Sequence, residues 1–235
     1  MISENAYGET NSSLEYWQNN RKSLSELYDS ERYFLEPILK KINSVLDIGC
    51  AAGGAYQICT EVNPEICYSG IDISPELIEL AKKNYPGVYF DYYDGHRISF
   101  SSGSFDLVFS IGVLHHLQHW KRMITQMVEL SSNYVVFDIR LTKDMTLNDP
   151  QKYFQKIAFG VEWDGISCIP YLVLNVDEVK EFFKQFVEDG YHVELYGYSG
   201  KPTTLVSIPY DEVYMCSICI QKESVKAQLV DNIRW

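Results

Sequence analysis

The chain has 235 residues, 46% of them hydrophobic and 22% charged, with a formal net charge of −12. That length buries one sizeable core, no repeat or low-complexity tract stands out, and a surface dominated by carboxylates repels phosphate backbones, which argues against nucleic acid as substrate. No apolar run approaches the roughly eighteen residues of a membrane span, "MISENAYGETNSSLEYW" has neither a basic n-region nor an apolar h-region, and six scattered cysteines read as reduced thiols, so the expectation is one cytoplasmic domain over 1–235, monomer or homodimer, with no membrane partner.

Apolar positions at helical spacing, Leu24, Leu27 and Tyr28, then Phe34, Leu35, Ile38 and Leu39 around Pro37, predict one or two helices within 12–42. In "VLDIGCAAGG" (45–54) a short buried strand places the acid Asp47 near its end and runs into a turn of small residues that opens a helix over about 54–62. "CYSGIDI" is a second strand ending at another acid, Asp72. "SPELIELAKKN" predicts a helix with Ser74 as N-cap, Pro75 in its first position, Leu77, Ile78 and Ala81 inward, and a stop at Tyr85-Pro86-Gly87. "VYFDYY" and "FDLVFS" (105–110) are the third and fourth strands, 115–130 a helix, and "NYVVFDI" the fifth strand. An aromatic, irregular insertion follows over 140–174. "NVDEVKEFFKQFVEDG" then reads as a helix with Asn175 and Glu178 placed for a capping box and Gly190 past its end. "YHVELYGYS" and "EVYMCSICIQ" lie about a dozen residues apart, too close for a crossover helix, and should pair as an antiparallel hairpin. Cys216 and Cys219, three apart on that last strand, should face opposite sides of the sheet and not chelate together.

Strands alternating with helices, with near-continuous apolar runs, mean an α/β fold whose parallel sheet is covered on both faces. Ligands in such sheets sit beyond the carboxyl ends of the strands. Three acids, Asp47, Asp72 and Asp94, follow three successive strands there. A dinucleotide fold would place an acid about 20 residues after its glycine turn, as Asp72 is placed, but it wants G-x-G-x-x-G. This turn is D-x-G-x-A-x-G, with Gly49, Ala51 and Gly53, and its acid Asp47 would repel a pyrophosphate. A cation fits better.

On these residues the chain resembles the class I S-adenosylmethionine-dependent methyltransferases of small-molecule type. "VLDIGCAAGG" is similar to their first motif, "GIDIS" to the second-strand motif, "DGHRISFSSGSFDLV" to the segment running into the fourth strand, and "SIGVLHHL" to the turn after it. The set spans about 42–120 in the right order and spacing. Ala51 departs from the glycine that many members carry. The resemblance implies a Rossmann-like seven-stranded sheet, mostly parallel with a terminal antiparallel hairpin. It implies S-adenosylmethionine as cofactor and S-adenosylhomocysteine as product. Asp47 would sit near the methionine end, Gly49 with its neighbours Cys50, Ala51 and Gly53 would let the cofactor lie against the backbone, Asp72 would take both ribose hydroxyls as a charge-assisted pair, and Ile73, Asp94 and Gly95 would hold the adenine. Ser110 and Ile111 would lie along the methionine portion.

An acceptor that must lose a proton benefits from a placed base. "LHHLQHW" offers His115 first and His116 second, with packing or hydrogen bonding as the plainer alternative, and His119 at the surface. His115 and His119 have metal-compatible spacing without a further ligand set, so no metal is expected. The aromatic-terminated tetrad of amino-directed nucleic-acid methyltransferases is missing at "SIGV". The expected reaction is methyl transfer to an oxygen or nitrogen of a small molecule, with an aminopropyltransferase or a non-catalytic partner protein as alternatives. Residues 1–42 and 140–174 would cover the acceptor side. Aromatics of "YFQKIAFGVEW" and "CIPYLVL" would line a pocket there or form the insertion's own core.

Overall fold

The computed structural model describes residues 11–158, 162–222 and 226–235. Helices α1 (Asn11–Asn19) and α2 (Asp29–Leu39), with a 3-10 turn at Leu24–Glu26 between them, precede strand β1 (Ser44–Ile48). Then follow α3 (Gly54–Val62), β2 (Cys67–Asp72), α4 (Pro75–Asn84), β3 (Tyr89–Tyr92), β4 (Phe105–Ser110), α5 (Trp120–Leu130) and β5 (Ser131–Thr142). Short strands β6 (Phe154–Lys156), β7 (Cys168–Pro170) and β8 (Leu174–Asn175) lead to α6 (Val176–Glu188), β9 (His192–Gly200), β10 (Val206–Ser207), β11 (Val213–Gln221) and β12 (Gln228–Arg234).

The main sheet runs β12-β9-β11-β5-β4-β1-β2-β3, with β8 beside β5. The strands from β5 to β3 are parallel, and β11 is antiparallel to both β5 and β9. This is the Rossmann-like arrangement with the terminal hairpin. Its central strands carry little but Val, Leu, Ile and Phe, because helices cover both faces. One core gathers Met123, Ile124 and Met127 of α5 with Val179 and Phe183 of α6. The opposite core gathers Phe34, Leu35 and Leu39 of α2 with Cys59 of α3 and Ile78 of α4. Cys216 belongs to the first and Cys219 to the second, as period-two alternation requires.

Four details differ from the sequence reading. Edge strand β12, not anticipated, pairs in parallel with β9 and buries Ile233. The helix expected over 115–130 is divided: Leu114–His116 is a 3-10 turn, and α5 begins only at Trp120. The insertion's β6 and β7 join β10, from the connection between β9 and β11, in a separate three-stranded sheet, and its Leu147, Tyr171 and Val173 share a small core with Val213 of β11. Residues 159–161 of its aromatic stretch lie outside the described residues. Finally, Asn175 does cap α6, its Oδ1 accepting from the Asp177 and Glu178 amides, but the reciprocal half of the box is absent. The Asn175 amide donates instead to Thr146 Oγ1, whose hydroxyl donates to Glu178 Oε2 at 2.7 Å. Among the described residues no helix is long and apolar enough to cross a membrane.

Asn175 Nδ2 also donates to the carbonyls of Lys143 and Asp144, so this one side chain fixes both the start of α6 and the start of the insertion. Asn175→Ala should cost about 1–2 kcal/mol, the upper range for a lost cap. A urea midpoint that does not move would show that Thr146 alone holds the junction.

Candidate functional site

The turn after β1 is built by backbone conformation. Gly49, Ala51 and Gly53 all have left-handed φ, at 84°, 47° and 82°, so every second residue of D-x-G-x-A-x-G is turned over. Left-handed backbone is free for glycine and costs alanine of order 1–2 kcal/mol, which explains the small residues. The amides of Gly49 and Cys50 both donate to the Ile71 carbonyl, at 2.8 and 3.1 Å, tying the turn to β2. α3 then starts at Gly54.

Around this turn lies a cavity of about 390 Å³ at the carboxyl ends of the parallel strands. Asp47, Asp72 and Asp94 all line it. Asp47 is buried; the Tyr68 hydroxyl donates to its Oδ2 at 2.5 Å, and burial, with the Asp72 charge adding, pushes its carboxyl up to about 7. Asp72 is pinned by the Ala51 amide on Oδ2 and the Ser74 amide on Oδ1, both at 2.9 Å. A carboxylate offers about four lone-pair positions, so two stay available for vicinal hydroxyls. Burial raises the Asp72 pKa against the pull of those amides. Asp94 is exposed, and the amides of Arg97 and His96 on its Oδ1 hold its carboxyl below the usual range. Ile73 and Gly95 also line the wall, as do Ile111, Gly112 and Val113.

These residues fit the cofactor that the resemblance implies. Acids that could face an ammonium and a sulfonium or accept from ribose hydroxyls share the wall with apolar side chains, and a turn of Gly and Ala leaves room for backbone approach.

Three expected residues do not reach the wall. Gly53 backs the turn: a Cβ there would lie 2.8 Å from the Phe90 ring, so its role is packing. Ser110 is fully buried and its hydroxyl donates to the Ile48 carbonyl at 2.7 Å, bracing β1 against β4. His115 is buried with its Nδ1 3.8 Å from Asp138 Oδ2 and no hydrogen-bond partner on that nitrogen. The 3-10 turn sets the two histidines differently, and His116, not His115, lines the cavity. His116 Nδ1 lies 2.6 Å from the Pro170 carbonyl. That oxygen can only accept, so Nδ1 carries the proton and Nε2 the lone pair. Burial pushes the His116 pKa down to about 4. His119, expected at the surface, is half-buried at the start of α5 and also lines the cavity.

Other residues were not anticipated as site members. Trp17 of α1 and Asn20 and Arg21 just after it line the cavity, and Ile169 of β7 joins them from the insertion. Behind the Gly112 turn lies a buried charged group: Asp138 Oδ1 accepts from the Gly112 amide at 2.5 Å, and Arg140 Nη1 donates to Asp138 Oδ2 at 2.7 Å. Charges two apart in the otherwise apolar "VVFDIRL" were its sequence signal, since i and i+2 share one face of a strand. Nothing local marked Arg21.

Residues 45–132 match the family model described as a methyltransferase domain. Ajmaline N-methyltransferase of Rauvolfia serpentina is 34% identical over 125 residues, 48% of this chain and 42% of that one. Probable tRNA methyltransferase 9B of Bos taurus is 26% identical over 144 residues, 61% of this chain and 30% of that one. The chain thus spans less than half the length of these curated relatives. Phosphoethanolamine N-methyltransferase 2 of Haemonchus contortus, solved with phosphomonomethylethanolamine and S-adenosylhomocysteine, shares the fold at TM-score 0.64 and 17% identity, over 95% of this chain and 61% of that one. The strand order, the acids at three successive strand ends and the matched residues 45–132 make this chain similar to the class I S-adenosylmethionine-dependent methyltransferases.

Proposed function

We propose that this chain binds S-adenosylmethionine in the cavity beyond β1, β2 and β4 and transfers its methyl group to an oxygen or nitrogen of a small molecule. The observation that carries the reading is the placement of Asp47, Asp72 and Asp94 along one cavity wall. The bound cofactor supplies a methyl group already activated by a sulfonium. The protein's part is to hold that group, align the acceptor, exclude water and receive a proton. Asp72 takes the ribose hydroxyls, Ile73, Asp94 and Gly95 the adenine, and Asp47 the cationic end. The segment around Trp17 and Arg21, with Ile169 of the insertion, covers the acceptor side as part of one single-domain enzyme. The net charge of −12 favours a small acceptor over the tRNA named for one relative.

Asp72→Ala removes hydrogen bonds to a charged acceptor and should weaken S-adenosylmethionine about ten- to a hundred-fold. Calorimetry giving an unchanged Kd for this variant would remove Asp72 from the site.

Burial, with the Asp72 charge adding to it and the Tyr68 hydroxyl and Arg21 opposing it, leaves Asp47 protonated below about pH 7 in the free protein. A bound cation favours its carboxylate, so the free protein holds the extra proton and binding releases it. Affinity for S-adenosylmethionine should therefore rise with pH up to about 7 and level off above it. Asp47→Asn should flatten the profile, and a wild-type Kd equal at pH 5.5 and 8 would refute the linkage.

His116 is the base candidate by position, with Nε2 bearing the lone pair and a pKa near 4 that keeps it neutral from mildly acidic pH upward. His116→Ala should lower kcat by about 10²- to 10⁴-fold with little change in cofactor Kd. His115→Ala, behind the wall, should lower the unfolding midpoint more than it lowers kcat. Equal kcat losses would put both imidazoles on the acceptor.

A further inference from the structure

Arg21 is the single lysine or arginine among the described residues that line the cavity, on a wall that otherwise carries the carboxylates of Asp47, Asp72 and Asp94. A ligand that brings an oxyanion to such a wall meets like charge, and a cation beside it offsets that repulsion. Arg21 is placed to be that cation. Its Nη2 is 3.4 Å from Glu31 Oε1, a long contact, and Glu31 Oε2 is already taken by the Tyr28 amide at 2.9 Å. Its Nη1 is buried and has no hydrogen-bond partner, although 22% of the side-chain surface stays exposed. A buried guanidinium N–H left unpaired is destabilising, and a ligand oxygen would remove that penalty. Arg140, buried and outside the cavity lining, donates through Nη1 to Asp138, while its Nε is likewise without a hydrogen-bond partner.

The surroundings hold Arg21 in place. Its backbone is left-handed, at φ 57°. The carbonyls of Asn20 and Arg21 lie 2.7 and 2.6 Å from where a Cβ on Gly54 would stand, so the segment seats on the first residue of α3 only because that residue is glycine. The guanidinium lies over Gly112, with Nη1 3.3 Å from where a Cβ there would be. Two glycines from different elements thus make room for the backbone and the head of one arginine.

We propose that Arg21 receives, through Nη1, an oxyanion carried by what binds in this cavity: the α-carboxylate of the cofactor or an anionic group of the acceptor. A planar guanidinium with a free N–H suits carboxylate and phosphate oxygens alike. The proposal rests on the reading of the cavity as the cofactor site.

Calorimetry on the full chain and on Arg21→Met and Arg21→Lys tests it in two arms. In the first, S-adenosylhomocysteine is compared with 5′-methylthioadenosine, which keeps the nucleoside and thioether but lacks the amino acid. Loss of about ten- to a hundred-fold for the former in Arg21→Met, with the latter unchanged, identifies the cofactor carboxylate. In the second, protein saturated with S-adenosylhomocysteine is titrated with inorganic phosphate. Phosphate binding that Arg21→Met abolishes, with nucleoside affinity intact, identifies the acceptor's anion. In either arm Arg21→Lys should recover part of the loss, since it keeps the charge without the fork. Equal weakening of both nucleosides means that the residue only packs the segment, and overturns the proposal. So does an unchanged variant in both arms. Wild-type protein that binds neither nucleoside overturns the cofactor reading itself, and this proposal with it.

Discussion

The structure depends on burying two carboxylates side by side at the ends of adjacent parallel strands. Asp47 of β1 stands opposite Gly70 of β2, and Asp72 closes β2 two residues later. Each pays a desolvation cost, and like charges this close oppose each other's ionisation. The fold offsets this with a Tyr68 hydroxyl on Asp47 and two backbone amides on Asp72. One of those amides belongs to Ala51, so the left-handed turn and the acid support each other: the turn aims its amide at Asp72, and Asp72 holds the turn down. A core optimised for stability alone would not place acids here. Their presence marks the site.

The same logic governs the other side of the cavity. Asp138 and Arg140 sit at the end of β5, which is buried on both faces, and they tolerate burial because they neutralise each other. Asp138 also fixes the Gly112 amide, so the wall formed by Ile111 to Val113 is set by a charge pair behind it. His115 shares that environment, where burial and the Arg140 guanidinium drive its pKa far below normal. It is a neutral packing group. His116, one residue on, turns to the cavity because the Pro170 carbonyl of the insertion holds its Nδ1. The insertion therefore sets the orientation of a candidate base as well as contributing Ile169 to the wall. The insertion and the candidate base are thus coupled through one hydrogen bond. A second backbone bond, from the Leu172 amide to the His115 carbonyl at 2.7 Å, reinforces it.

Local chemistry made much of this legible in the sequence. The central strands announce themselves as apolar runs, Ser74 with Pro75 and Asn175 as helix starts, and D-x-G-x-A-x-G as a turn needing left-handed residues; each is a property of a few adjacent residues, and the structure keeps each one. Asp47, Asp72 and Asp94 were likewise readable, because a strand's end and the acid following it are fixed by the chain itself. What sequence could not supply was direction and partnership. Gly53 and Ser110 have the right position in the motif yet face Phe90 and Ile48. The choice between His115 and His116 turns on a 3-10 turn and on a carbonyl 54 residues away. Arg21 meets Gly54 and Gly112 only after the sheet has brought α3 and the β4 turn together. Near-neighbour geometry is determined by the sequence; contacts across dozens of residues, and the burial that shifts a pKa, exist only once the core has closed around them.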